Sequence, residues 1–396
     1  MLTGKTILLG VTGSIAAYKI ANLASMLVKL HADVHVILTR NACQFITPVT
    51  FETLTGHKCL VETFDRSFEF QVEHVALAKR ADLALVAPAT ANVIAKMAHG
   101  ICDDMLTTTL LACQCPKVVS PAMNTQMWQN PILQDNLQLL RHYGMQVITP
   151  ATGRLACGDE GCGKMPSEEV LLEHILLHVA CQHDLAGQRI LITAGPTREA
   201  IDPVRFISNR SSGKMGYALA KAAALRGADV TLVSGPVDLK PFSGIRLVRV
   251  ESAAQMFDAV TSVSADHDAV IMCCAVADYT PAEYCQQKLK KHDTTDLSLP
   301  LRRTQDILQY LGDHKREGQR IVGFSMETEN LVANSLSKLK RKHADMICAN
   351  SIASGRTGFA VDTNQVTLIT PTRQTELPLC SKEQTAHLIL DALASL

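Results

Sequence analysis

At 396 residues with 47% hydrophobic side chains, the chain holds material for two cores of about 150 to 200 residues each rather than one. Lys plus Arg and Asp plus Glu both number 38, so no net field draws the protein to nucleic acid or to an anionic membrane, and any anionic ligand must be held by local groups. Thirteen cysteines, an odd set scattered through apolar runs without a CxxC pair, exclude a disulfide framework and a zinc ribbon, and with no basic leader and no apolar run near the roughly 18 residues of a membrane span, a cytoplasmic protein is expected.

Thr6 to Gly10 reads as a buried strand, Ser14 to Leu30 as a helix and His31 to Thr39 as a second strand, together a βαβ unit. The turn GVTGSIA lacks the GxGxxG fingerprint, and the second strand ends in Thr39-Arg40 rather than an acid, which counts against NAD. Ser14 and Thr39 suit a lone phosphate, although a purely structural turn fits these residues as well. LALVAP continues the sheet, Asp103-Asp104 opens a helix, and Asn124 follows the short strand Val118-Val119. Open α/β sheets keep ligands at such a place, and Asn is also a common helix cap there. His74 is one of 14 histidines and composition alone gives it no privilege. The glycine-dense stretch from Gly153 to Gly163 reads as a loop, either a plain surface connection or a mobile flap carrying Cys157. An apolar-periodic helix between Ser167 and His183 ends the first half, and the short polar stretch after Cys181 places domains at residues 1–183 and 188–396.

Taken in order and spacing, GSIAAYK, EHVALAKRADLALVAPATAN, DDMLTTTLLA, PAMNTQM and GRLACGDEGCGKM resemble the flavin-dependent cysteine decarboxylases of coenzyme A biosynthesis, over nearly all of the first 180 residues. The resemblance implies a flavodoxin-like domain with FMN lying against Gly13, Ser14, Ile15, Thr39, the loop Ala87, Pro88, Ala89 and Thr90, and Thr107 and Met123. It implies His74 as the base or orienting group, Asn124 as the ligand of the substrate carboxylate, and Cys157 as the proton donor. Oxidation of the substrate thiol by the flavin creates the electron sink that lets CO2 leave, and the electrons then return, so the net reaction is redox neutral.

In the second half, Ile190 to Thr193 is a strand, a helix starts at Lys214, and Val230 to Ser234 and Leu247 to Val250 are further strands. Ser252 to Gln255 is a capping box. Ala269 to Ala277 reads as one continuous apolar strand with Asp278 at its carboxyl end, placed for ligand or metal work or for a cap. Lys288, Lys290 and Lys291 form a basic loop cluster, by itself a solvated charge run. SSGKMG is not a Walker loop, because Met215 takes the Ser/Thr position.

AGPTREAIDPVRFISNRSSGKMG, AVADY, KLKK, the GF and ET of GFSMETEN, and DMICAN resemble the phosphopantothenate–cysteine ligase domain that follows the decarboxylase in many bacteria. The resemblance implies a Rossmann-like domain in which the carboxylate of 4'-phosphopantothenate attacks the α-phosphate of CTP and cysteine then displaces CMP. Asn209 and Arg205 would hold the activated acyl group and Lys288 would neutralise the triphosphate. Cys273, Cys274, Asp278, Thr304, Gln305, Asp306, Phe324, Lys338 and Lys342 would surround CTP, with Mg2+ or Mn2+ sharing the charge on unassigned ligands. Gln305 replaces the family's proline, which leaves that loop less rigid, and Cys274 and Met326 stand where alanines are usual. The expectation is thus an α/β protein of two doubly wound three-layer domains, a bifunctional coenzyme A biosynthesis enzyme whose product 4'-phosphopantothenoylcysteine feeds its own decarboxylase. A homo-oligomer follows from the same resemblance. The alternatives are a decarboxylase whose second domain only binds nucleotide and a non-catalytic regulatory flavoprotein of the same fold.

Overall fold

The computed structural model describes residues 2–64, 73–155, 158–290, 298–327, 330–351 and 362–396. The chain folds as two units, Met1–Cys181 and Gln182–Leu396. In chain order the first comprises β1 (Thr6–Val11), α1 (Ala17–Lys29), β2 (Asp33–Leu38), α2 (Pro48–Thr55), α3 (Glu73–Arg80), β3 (Leu83–Ala89), α4 (Ala91–His99) and α5 (Met105–Ala112). It continues with β4 (Lys117–Pro121), α6 (Thr125–Gln129), α7 (Pro131–His142), β5 (Gln146–Val147), β6 (Ala151–Arg154), β7 (Glu160–Lys164) and α8 (Glu168–Val179). Strands β1 to β5 form one parallel sheet in the order β2-β1-β3-β4-β5. This is the flavodoxin-like order, whose strand sequence reverses between β1 and β3. Every residue of β1 and β3 is buried, as expected for a parallel sheet covered on both faces. Helices α1 and α8 pack together on one face. On the other, α4, α5 and α7 supply Val93, Leu106 and Leu137 to a core with Leu8, Val86 and Val119.

One expectation is corrected here. The glycine stretch read as a loop is the antiparallel hairpin β6–β7, Gly153 pairing with Gly161. Its glycines serve close approach. A Cβ on Gly163 would lie 2.2 Å from the Met123 carbonyl oxygen, and one on Gly161 2.2 Å from Thr125 Oγ1.

The second unit runs β8 (Arg189–Ala194), β9 (Arg198–Ala200), β10 (Phe206–Ser208), α9 (Lys214–Leu225), β11 (Asp229–Ser234), β12 (Arg246–Arg249), α10 (Ala253–Ser264), β13 (Ala269–Met272), β14 (Tyr279–Pro281) and β15 (Leu301–Arg303). It ends with α11 (Ile307–Asp313), β16 (Arg320–Glu327), α12 (Leu331–Arg341), β17 (Met346–Ser351), β18 (Thr363–Asn364), β19 (Val366–Ile369), β20 (Gln374–Glu376), β21 (Cys380–Ser381) and α13 (Lys382–Ala394). Its main sheet is ordered β12-β11-β8-β13-β16-β17-β19-β20, the first six parallel, β19 antiparallel to β17 and β20 antiparallel to β19. The parallel part has the 3-2-1-4-5-6 order of the dinucleotide-binding folds, reversing between β8 and β13. Helices α9 and α13 pack on one face and α10, α11 and α12 on the other. Gly216 lets α9 approach β8, since a Cβ there would sit 2.6 Å from Ala194 Cβ. The capping box at Ser252 forms as read, each side chain accepting the other residue's backbone N–H.

A second correction concerns the run from Ala269 to Ala277, which is strand only to Met272. Buried Thr193 at the end of β8 ends it, because its Oγ1 accepts the N–H groups of both Cys273 and Cys274, at 3.1 and 3.2 Å. Beyond that point the backbone follows the loop after β8, Ala275 N donating to Gly195 O at 2.9 Å and Ala277 N to Thr197 Oγ1 at 3.0 Å. Asp278 therefore stands in a loop just before β14 rather than at the end of a strand.

Candidate active sites

In the first unit, buried Thr12 joins the ends of β1 and β3: its Oγ1 donates to Pro88 O at 2.6 Å and accepts Thr90 N–H at 3.0 Å. The segment Ala87 to Thr90, expected as a loop, is strand as far as Ala89 and is thereby held against the end of β1. Two cavities open at this carboxyl edge of the sheet. One, about 610 Å³, is lined by Gly13, Thr39, Asn41, Thr90, Asn92 and Lys96 among others. Thr90 is the N-cap of α4, its Oγ1 accepting Val93 N–H, and the helix's first turn faces the cavity through Ala91 and Asn92. The N–H groups of a first helical turn lack partners within the helix and attract phosphate. Lys96 holds Asp103 and Asp104 at 2.6 and 3.2 Å, which places a cation and two acids on the same wall.

The other cavity, about 570 Å³, is mainly apolar, lined by Ser14, Ile15, Tyr18, Met123, Asn124 and Leu155 with Lys19, Arg154 and Lys164 at its polar side. The hairpin β6–β7 forms one wall and is pinned by Met123 N donating to Gly163 O at 3.0 Å. Asn124 is the N-cap of α6, its Oδ1 accepting Met127 N–H at 2.8 Å. Its amide Nδ2 makes no hydrogen bond among the described residues. Because Gly163 has a φ of +134° as well as the 2.2 Å contact, Gly163→Ala cannot be accommodated without pushing the hairpin off Met123. If the first unit carries the decarboxylation that its sequence resemblance implies, that variant is expected to lose CO2 release roughly 10²-fold while pyrophosphate release by the second unit stays intact. Unchanged CO2 release would show that the wall does not matter.

In the second unit, a cavity of about 570 Å³ is lined by Cys274, Val276, Asp278, Tyr279, Arg303, Thr304, Gln305, Asp306, Phe324, Lys338, Arg341 and Lys342. Thr304 anchors its rim without the missing proline: its Oγ1 donates to Ala277 O at 2.7 Å and its N–H to Asp278 O at 3.0 Å. Asp306 caps α11 through Gln309 N–H at 3.0 Å and pairs with the buried Lys342 ammonium. Burial alone would raise the Asp306 carboxyl, but Lys342 and the Gln309 N–H hold it below its ordinary value. Lys338 Nζ donates to Phe324 O at 2.9 Å. A smaller cavity of about 160 Å³ adjoins it, sharing Cys274 and Phe324 and reaching Cys273, Asn350, Lys382 and the start of α9 at Ser211 to Gly216. Asn350 Oδ1 is buried there with no hydrogen-bond partner among the described residues, an orphan that a polar ligand group would satisfy. Burial pushes the Cys274 thiol up to about 11 and Cys273 well above its ordinary value, so both are neutral walls rather than nucleophiles.

The second unit also holds a polar clamp. Asp202, fully buried at its side chain, accepts the N–H groups of Val204 and Arg205 at 2.8 Å each, Arg205 Nε at 2.9 Å and Leu289 N–H at 3.1 Å. Arg205 Nη2 in turn donates to Leu289 O at 2.6 Å. Asn209 Nδ2 donates to the carbonyls of Ala275 and Val276 at 3.0 and 3.2 Å.

Comparison with known proteins decides what these units are. Residues 1–179 match the flavoprotein family model, and residues 185–396 match the C-terminal domain of the DNA/pantothenate metabolism flavoproteins. The coenzyme A biosynthesis bifunctional protein CoaBC of Vibrio vulnificus is 44% identical, covering 100% of this chain and 98% of that one. That of Bacillus subtilis is 45% identical with the same coverage. The chain belongs to the CoaBC family. Among solved structures, the C-terminal domain of a CoaBC protein is 43% identical over 53% of this chain and 95% of its own, with a TM-score of 0.45. A PPC decarboxylase mutant complexed with pantothenoylaminoethenethiol is 30% identical over 44% of this chain and 97% of its own, with a TM-score of 0.39. The chain is thus a bifunctional enzyme of coenzyme A biosynthesis, a flavoprotein decarboxylase followed by a ligase, and the monofunctional alternative is not favoured.

In this CoaBC chain, Gly13, Thr39 and Thr90 share one cavity, and Ser14, Ile15, Met123 and Asn124 the other. Ala87 and Ala89 are buried with Pro88 at the end of β3. Thr107 lies inside α5, its hydroxyl donating to Asp104 Oδ1 at 2.9 Å, and lines neither cavity. Half-buried His74 stands in the first turn of α3 and also lines neither. Cys157 lies outside the described residues. Eight of the residues assigned to CTP, from Cys274 to Lys342, line one cavity, with Cys273 in its neighbour; exposed Lys288 lines neither and sits next to the clamped Leu289. Sequence reasoning missed Asp202, Asn350, Arg303 and Arg341. Asp202 and Asn350 lie inside quoted motifs, and only their burial marks them out. Among the described residues no helix is long and apolar enough to cross a membrane.

Proposed function

We propose that the first unit binds FMN at the β1/β3 reversal and decarboxylates 4'-phosphopantothenoylcysteine, and that the second unit uses CTP to join 4'-phosphopantothenate to cysteine. The observation that carries this reading is that the cavities of each unit open at the carboxyl ends of parallel strands beside the point where strand order reverses. The donor set fits FMN: the hydroxyls of Thr39 and Thr90 and the first turn of α4 suit its phosphate, and Ser14 and the apolar Ile15 of the other cavity suit the rest of the molecule. When bound, FMN supplies the electron acceptor and donor that make the substrate thiol an electron sink for decarboxylation. Asn124 holds the departing carboxylate through its amide, His74 orients the substrate, and Cys157 delivers the proton to the carbon.

For the ligase, the cationic wall of Lys338, Arg341 and Lys342 supports a polyphosphate ligand, with Phe324 against the nucleoside. Lys342 then divides its charge between Asp306 and phosphate. Lys288 neutralises the triphosphate from the clamped loop, Mg2+ or Mn2+ shares that charge, and Arg205 and Asn209 shape the acyl site. Exposed Ile15, Tyr18 and Phe45 beside the flavin end support a homo-oligomer.

The purified full chain is expected to absorb in the visible flavin bands. Given 4'-phosphopantothenate, cysteine, CTP and Mg2+, it is expected to release pyrophosphate and CO2 in equal amounts. Release of neither would overturn the reading, and CO2 release only from added 4'-phosphopantothenoylcysteine would overturn its ligase half.

A further inference from the structure

Asp33, His35 and His57 converge at the amino end of β2, the opposite end of that strand from Thr39 and the flavin cavities. Asp33 and His35 are two residues apart and so lie on the same face of this edge strand. His57 follows the C-terminus of α2, where Gly56 turns the chain at a φ of +73° and Thr55 Oγ1 accepts His57 N–H at 3.2 Å. His57 Nε2 is 2.7 Å from Asp33 Oδ1 and His35 Nε2 is 3.2 Å from Asp33 Oδ2, while the two rings stack at 4.2 Å with 20° between their planes. One donor atom from each of the three residues lies within 4.8 Å of the others, and among the described residues this is the one such group of three.

We propose that Asp33, His35 and His57 form a binding site for a borderline divalent transition ion of the Zn2+ type. Two imidazoles and a carboxylate are the donor set such ions prefer over Mg2+ or Ca2+. The half-open Asp33 and His57 leave room for water as a fourth ligand. A cation already stands there: Arg80 Nη2 is 2.7 Å from Asp33 Oδ2 and 3.3 Å from His35 Nε2, so the guanidinium marks the point of negative potential. Arg80 is more than half exposed and can swing out as the ion enters. Thr6 Oγ1, 3.3 Å from Asp33 Oδ2, supports the carboxylate from outside. Binding requires Asp33 ionised and a lone pair on each Nε2, so any Nε2 proton moves to Nδ1 or to solvent. The bound ion would staple the loop after α2 to the edge strand.

Co2+ is the probe, because its spectrum separates nitrogen and oxygen ligands from the chain's thirteen cysteines. Chelator-treated full-length protein is expected to bind one equivalent of Co2+ with d–d absorption but no thiolate charge-transfer band, and Zn2+ should displace it. His57→Ala should weaken this binding by at least about 100-fold. Arg80→Ala should tighten it by about fivefold, the effect of removing one screened positive charge. Zn2+ should raise the melting temperature of the parent and not of folded His57→Ala, checked by circular dichroism. The site is overturned if no such band appears, if the only band is thiolate charge transfer, or if His57→Ala binds as tightly as the parent.

Discussion

Asn124→Asp is expected to stop decarboxylation while leaving the fold as it is. The residue does two things that a simple alanine change would confound: it caps α6 through Oδ1, and it faces the cavity proposed for the substrate. Asp caps a helix as well as Asn, and its charge suits the positive end of the helix dipole, so the bond to Met127 N–H survives. What changes is the other oxygen, which presents negative charge where an amide would meet the substrate carboxylate. Like charges brought together cost several kcal/mol, and about 3 to 4 kcal/mol corresponds to roughly 10²- to 10³-fold in kcat/KM. Ligation, measured as pyrophosphate release, should be unaffected. Asn124→Ala should instead combine a cap loss of about 1 kcal/mol with a smaller loss of activity. Wild-type CO2 release by Asn124→Asp would reduce the residue to a cap.

Asp202→Asn is expected to do the converse, reducing ligation roughly 10²-fold with decarboxylation of supplied substrate unchanged. Asp202 is an acceptor on both oxygens: Oδ1 for two N–H groups of its own turn, Oδ2 for Arg205 and for Leu289 N–H. An asparagine that keeps the first pair turns its NH2 toward two donors, which releases Arg205 and unties the backbone next to Lys288. The loss should appear in both the activation and the amide-forming half-reactions, since Lys288 and Arg205 are loosened together. Burial by itself would raise the Asp202 carboxyl, but the Val204 N–H, the Arg205 guanidinium and the N–H groups of Leu289 and Arg205 hold it well below the usual carboxylate range. Its stabilisation is therefore complete above about pH 4 and lost only as pH falls through the depressed value. Ligation within twofold of the parent would mean that the lysine loop is placed by other contacts.

Both predictions turn on residues whose meaning differs between the line of sequence and the folded chain. Asn124 was legible as either cap or ligand because both demand a short amide directly after a strand. Asp202 was invisible because its partner Leu289 lies 87 positions away. The sequence of β6–β7 reads as a loop because glycine lowers the local preference for strand, whereas Gly161 and Gly163 let the strand pass against Met123 and Thr125. The apolar run after Ala269 reads as a longer strand than it forms, because nothing within it announces that a threonine 80 positions earlier takes its N–H groups.

The sequence by itself determined the parts that neighbouring residues encode. Two βαβ series, the capping box at Ser252 and the acid at the start of α5 follow from side-chain period and cap chemistry, and the two quoted motif sets carried the resemblance to the family. Only the tertiary structure decided the strand orders, and hence where each sheet reverses and opens its cavities. It alone paired Asp306 with Lys342 and Asp202 with Arg205 and Leu289, and gathered Asp33, His35 and His57 at one end of β2. The reason is that periodicity and caps act within a few residues, whereas a cavity wall is assembled from segments tens of residues apart, and a single chain carries no signal of which of them will meet.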